Sequence, residues 1–301
     1  MNEYLDLARL GKNHWWRYLL GVLTILFVWQ IIGSIPVAIL IVLTLMGDNH
    51  TVFVTSRGVE GMDVTVYFVA FMLASWAFLA GIFLAVRFIH QRPLRTLVTP
   101  ARSIDWGRLF QAFGVWFWLA ALTALLEAFL YPGRYVLTLD LPRYLPFIFL
   151  ALALVPIQTS AEELFFRGYI LQGFGLRIRN LWVLSAISGL FFGLPHLLNP
   201  EASANYFLMG LFYFAMGAVM AYITLREGRL ELALGMHAAN NLFSALFANY
   251  TGSVMPTPAL FTVTELDVVY SVLSALAAMV IFVLIFTVLW RRKPQAEPPA
   301  G

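Results

Sequence analysis

Two adjacent glutamates, Glu162 and Glu163, stand with Arg167 in a stretch that is otherwise almost wholly apolar, from Tyr144 past Leu171. Carboxylates in such a setting can exchange protons, hold a cation, or pair internally. A charge at mid-bilayer costs roughly 2.5–3.5 kcal/mol on insertion scales, so three unpaired charges would cost on the order of 8–10 kcal/mol. That is comparable to the ~5–15 kcal/mol net stability of a whole domain. The three charges must therefore be paired, or line a wet cavity, or both. Glu163 and Arg167 are four residues apart, on one helix face, with the acid first, the favourable order for an ion pair. Glu162 lies about 100° round the helix and faces a different neighbour. Glu163 is thus expected to be neutralised by Arg167, leaving Glu162 free to exchange a proton.

Two further stretches carry polar groups among apolar ones. Gly189 and Gly193 make a small-xxx-small face that lets another helix approach, and Pro195 removes a backbone donor just before His196. His237 and Asn241 are four apart on one face, beside Gly235, Ala238 and Ala239. A lone intramembrane His or Asn often does no more than bond a neighbouring helix. Six such groups on three spans favour function, because intramembrane ionisable residues mark substrate, ion or proton sites. Glu127, near the end of another span, reads as interfacial and receives no role.

These groups need a membrane to be unusual in, and the composition supplies one. The chain has 301 residues, 61% hydrophobic and 12% charged, where soluble domains carry about 25% charge. The expected fold is all-α, a polytopic bundle of about eight transmembrane helices: Tyr18–Met46, Val64–Ile89, Leu109–Tyr131, Tyr144–Phe174, Leu181–Leu198, Tyr206–Leu225, Leu230–Tyr250 and Val268–Trp290. Residues 1–17 read as an interfacial segment anchored by Trp15 and Trp16, 18–291 as a single transmembrane domain, and the proline-rich 292–301 as a disordered tail. Arginines crowd alternate connections (Arg92, Arg95, Arg102; Arg177, Arg179; Arg226, Arg229), while Asp48, Asp63, Glu201, Glu265 and Asp267 occupy the others. The positive-inside rule then places both termini in the cytoplasm. No cysteine is present, which excludes thiolate chemistry and disulfides. No nucleic-acid partner is expected; the bilayer is. Counting along the helices sets His196 farther from the cytoplasmic edge than Glu163 or His237, so a tilt of the fifth span, or a later start for it, must close that gap.

The segments Glu162-Glu163-Leu164-Phe165-Phe166-Arg167, Phe192-Gly193-Leu194-Pro195-His196 and His237-Ala238-Ala239-Asn240-Asn241 together resemble the CAAX prenyl protease and bacteriocin-processing (CPBP, Abi) family of intramembrane endopeptidases. All three motifs are complete, in order, each on its own span, and the resemblance covers a core of about 144–250. It implies Glu162 as general base, activating water with His196, and His237 with Asn241 as the oxyanion site. Glu163 and Arg167 become the supporting carboxylate and its ion-pair partner. The implied substrate is a peptide or membrane protein, lipidated or not. A divalent metal such as zinc, held by Glu162, His196 and His237, stays open beside a metal-independent glutamate mechanism. Two other readings compete: a non-catalytic immunity or scaffold membrane protein, and a proton-coupled transporter. The lack of an evident internal repeat weakens the last.

Overall fold

The computed structural model describes residues 2–46, 53–55, 58–60 and 62–291. The tail expected to be disordered, 292–301, lies outside the described residues, as do Asp48 and Arg57. The described residues form an all-α bundle of eight helical runs in antiparallel succession. Six are long and apolar enough to cross a membrane: Trp15–Met46, Val64–Ile89, Trp106–Leu130, Leu141–Gly175, Tyr206–Glu227 and Val268–Leu289. The fifth and seventh runs, Leu181–His196 and Glu231–Leu246, have only 16 residues each. At ~1.5 Å per residue they reach about 24 Å, short of the ~30 Å hydrocarbon core. These two short helices carry His196, His237 and Asn241. A helix can end inside a bilayer only where protein or a cavity surrounds its end. The seventh meets that condition, being buried continuously from Glu231 to Ala239.

Local chemistry fixes most of the starts. Asp63, Asp105, Asn180, Asn205 and Asp267 each accept a backbone N–H of the following first turn, supplying partners for donors that a helix end leaves orphaned. Gly228, at φ 72°, closes the sixth run in the left-handed region that glycine tolerates. The fourth run passes through Pro146 and Pro156 and then widens into a π-helix over Leu164–Ile170. Such widened turns recur at functional sites, and this one holds Arg167.

Close packing brings the helices to the site. The Gly189 and Gly193 face does receive another helix: a Cβ at Gly189 would lie 2.7 Å from the Phe214 carbonyl oxygen on the sixth run. A Cβ at Gly235 would lie 2.1 Å from the Leu109 carbonyl oxygen on the third, so the third and seventh backbones touch two residues from His237. Leu230, fully buried, donates its N–H to the Val98 carbonyl at 2.9 Å. The arginine-rich connection around Leu97 and Val98 therefore dips into the bundle, and the seventh helix starts below the surface.

The two ends of the bundle differ. At one, the strands Tyr135–Leu137, Phe261–Val263 and Ala248–Tyr250 form a small sheet with Phe261–Val263 in the middle, antiparallel to the first and parallel to the last. The seventh helix, expected to run on to Tyr250, in fact ends at Leu246 and passes into this sheet. At the other end the segment before Trp15 docks into the bundle. Tyr4, Leu5 and Ala8 are buried there, and the Tyr4 hydroxyl donates to the Leu97 carbonyl at 2.7 Å. Trp15 and Trp16 stay exposed, as anchors would.

His90 locks this docked segment. Its Nδ1–H donates to the Lys12 carbonyl and its Nε2 accepts from the Tyr169 hydroxyl, both at 2.8 Å. Burial pushes its imidazolium pKa down from the ordinary 6.5 to about 4, with Arg92 and Arg17 adding in the same direction. The unfolded chain therefore binds this proton first as pH falls, and the stability from neutral His90 is lost between pH 6.5 and about 4. Thermal unfolding of the detergent-solubilised protein should show a midpoint that drops across this window, and a His90→Gln variant should show a shallower drop. Identical acid slopes would remove His90 as the cause.

Candidate active site

The fourth, fifth and seventh runs meet around Glu162. The Glu163 side chain is fully buried, and its Oε1 accepts from Arg167 Nη1 and from His237 Nδ1, each at 2.7 Å. The expected Glu163–Arg167 pair is therefore present, with an imidazole added to it. Arg167 is equally buried, donates to the Gly217 carbonyl at 3.4 Å, and lies 4.4 Å from the Phe192 ring centroid. An isolated buried charge is prohibitive, whereas a hydrogen-bonded pair is tolerated.

The tautomers follow from the partners. A carboxylate and a carbonyl can only accept. His237 therefore carries its proton on Nδ1, toward Glu163, and His196 carries its proton on Nδ1, toward the Phe192 carbonyl at 2.6 Å. Both Nε2 atoms consequently face inward. Oε2 of Glu162 lies 3.7 Å from Nε2 of His237 and 4.0 Å from Nε2 of His196. That oxygen is buried with no hydrogen-bond partner. Oε1, its neighbour, accepts a short hydrogen bond from the Gln158 amide. Glu162 is thus bonded through one oxygen and free at the other, with two ring nitrogens beyond bonding reach of it. Neither ring nitrogen uses the lone pairs of that oxygen.

Asn241 does not touch either histidine; it donates through Nδ2 to Oε1 of Gln158 at 3.0 Å and so joins the same network. Gln158, Asn240 and Trp116 are members that sequence reasoning missed. Gln158 sits four residues before Glu162, the spacing that also flagged Glu163 with Arg167, so its place was open to the same argument. Trp116 comes from the third run, and no spacing rule reaches across helices.

The site opens into a cavity of about 750 Å³. Its walls run from Glu162, His196 and His237 to Glu127, Glu201 and Tyr250 near the small sheet. Glu127 is buried within the protein: it accepts from the Tyr135 hydroxyl at 2.8 Å and from Arg134 at 3.3 Å, and Arg134 also reaches Asp267 at 3.0 Å. As regards a metal, two inward Nε2 atoms with oriented Nδ1–H groups and a carboxylate are chemically suitable donors. Among the described residues, however, no group of three or more His, Asp or Glu side chains is arranged to hold a metal ion.

The Glu163 pairing is testable by stability. Removing one partner of a buried pair strands the other and costs about 3–5 kcal/mol, whereas replacing both is far milder. Arg167→Met should therefore lower the unfolding midpoint in detergent sharply, and Glu163→Gln combined with Arg167→Met should recover much of it. Equal midpoints for the single and double variants would show that the pair carries no such coupling.

Comparison with known proteins gives the family of the chain. Residues 142–243 match the family described as type II CAAX prenyl endopeptidase Rce1-like, a span that contains all three motifs. Over 293 residues, 97% of each chain, the sequence is 33% identical to the uncharacterized protein YyaK of Bacillus subtilis (strain 168). No solved structure matches. A polytopic helical bundle with acid, imidazole and carboxamide groups gathered at its centre is what remains to be classified, and it is an integral membrane protein belonging to the Rce1-like family of type II CAAX prenyl endopeptidases.

Proposed function

We propose that the protein is an intramembrane endopeptidase in which Glu162 and His196 activate water and His237 and Asn241 stabilise the oxyanion. The observation that carries this reading is the unpartnered Oε2 of Glu162, facing two Nε2 atoms at 3.7 and 4.0 Å at the base of a cavity. Oε2 of Glu163 is also buried and unpaired, but of the two adjacent carboxylates Glu162 is the one that lines the cavity, where a substrate can reach it.

The steps balance as follows. Water bridges Oε2 of Glu162 and Nε2 of His196, and its oxygen attacks the scissile carbonyl carbon while its proton passes to Glu162. The carbonyl oxygen becomes an oxyanion, and the Nδ2–H of Asn241 not engaged with Gln158 is one donor to it. His237 is the other, donating from Nε2 after taking up one proton from solvent before the cycle and keeping it throughout; Glu163 on its Nδ1 compensates the added charge. Glu162 then gives its proton to the amide nitrogen as the C–N bond breaks, and the remaining water proton passes from the new carboxyl group to the freed amine, leaving a carboxylate, an ammonium and Glu162 ionised as at the start. No metal enters these steps. The substrate is a peptide or membrane protein, prenylated or not, that enters the cavity from the bilayer or its surface.

In this reading both termini lie on the cytoplasmic side, as the arginine-rich connections suggest. The cavity wall then reaches the opposite face at Glu201 and Tyr250.

Three measurements test the proposal. Membrane peptides from cells making the wild type or Glu162→Gln should differ in cleavage products by mass spectrometry, with the variant folded and about 10³-fold or more slower, general base and charge being lost together. The same products with both proteins would sink it. Cleavage by the purified enzyme should persist after exhaustive treatment with a chelator; loss restored by zinc would replace the glutamate mechanism with a metal one. The chain has no native cysteine, so Ser203→Cys and Ser103→Cys are clean reporters. A membrane-impermeant maleimide applied to intact cells should label the first and spare the second, and the reverse pattern would invert the orientation.

A further inference from the structure

An unbroken line of hydrogen bonds leads from the third run to the catalytic carboxylate. Trp116 Nε1–H donates to Oδ1 of Asn240 at 3.2 Å, and Asn240 Nδ2 donates to Oδ1 of Asn241 at 3.0 Å. Asn241 Nδ2 donates to Oε1 of Gln158 at 3.0 Å, and Gln158 Nε2 donates to Oε1 of Glu162. A carboxamide can be turned about without changing its shape, so its orientation must come from its partners. Here both ends are decided. An indole N–H can only donate, and an ionised carboxylate can only accept. Between them the three amides have one self-consistent direction, donors pointing toward Glu162. Turning any one of them would set donor against donor on one side and acceptor against acceptor on the other, in a setting where unmade bonds are expensive.

This direction has consequences for the chemistry. It ties Oε1 of Glu162 and leaves Oε2 as the oxygen that faces the histidines. It also turns the NH2 end of Asn241 toward Gln158 and Glu162, leaving its second N–H for the oxyanion. With Asn241 turned about, a carbonyl would be presented to the developing negative charge. Resting on the endopeptidase reading above, we propose that Asn240 and Gln158, anchored by Trp116, are positioning residues that set the polarity of the amide chain and thereby make Asn241 a donor and Glu162 Oε2 the working base.

Asn240→Asp gives the sharpest test. Its carboxylate accepts from Trp116 but cannot donate to Asn241, so Asn241 must turn to donate to it, and the reversed chain meets Glu162 with an acceptor. For a quenched peptide that wild type cuts and Glu162→Gln does not, kcat should fall about a hundredfold, as for loss of one oxyanion donor, with KM near wild type and the variant still folded. Trp116→Phe should fall less, because Glu162 still sets the direction from the other end, and Trp116→Phe with Asn240→Asp should fall no further than Asn240→Asp alone. Wild-type kcat in Asn240→Asp, or losses that multiply in the double variant, would overturn the proposal. A second readout needs no substrate. The indole proton resonance of Trp116, identified by its loss in Trp116→Phe, should shift in Gln158→Met, which cuts the chain beyond Asn241. An unmoved resonance would show that the chain is not continuous, whatever becomes of the endopeptidase reading.

Discussion

One buried carboxylate organises the centre of this bundle. Glu163 has no exposure, and among the described residues it bonds Arg167, one turn along the same helix, and His237, from the seventh run. Removing any of the three would leave a charge or a polar ring in low dielectric without its partner. The pairing does more than neutralise charge. It fixes the ring orientation of His237, dictates which nitrogen carries the proton, and so turns Nε2 toward Glu162. His196 obtains the same orientation from the Phe192 carbonyl. Each histidine is aimed by what it donates to on its far side.

The helices are built to allow this meeting. The seventh run is too short to cross a bilayer by itself and survives because other helices enclose it. Gly235 lets the third helix come against it, and Gly189 lets the sixth come against the fifth. With the seventh helix starting beneath the Val98 carbonyl and the fifth stopping at His196, side chains from separate crossings reach one depth. The cavity then lies among polar ends rather than lipid-facing sides.

Much of this was legible in the residues. The eight runs follow from hydropathy, and the Glu163–Arg167 pair follows from a four-residue spacing. The two shorter helices were harder to bound, because apolar residues continue past both ends: Leu198 and the strand Ala248–Tyr250 look like helix by composition alone. The partners of Glu127, Tyr135 and Arg134, were not foreseen because they approach by a turn that hydropathy does not describe. The segment before Trp15, read as interfacial, also buries Tyr4 and Leu5 against the bundle, which its sequence did not indicate. Trp116 and Asn240 were invisible for a different reason. Their roles depend on contacts between helices, and one chain read in order carries no signal for who faces whom.

The account stands or falls on the distances around one oxygen. An experimental structure of the wild-type protein in a lipid bilayer, at a resolution that shows ordered water, measures them directly. The expected result is Oε2 of Glu162 about 4 Å from Nε2 of both His196 and His237, as the separations of 4.0 and 3.7 Å indicate, with a water oxygen bridging the carboxylate to His196. Side chains directed at lipid, or a Glu162 whose two oxygens are both engaged in helix packing, would contradict it.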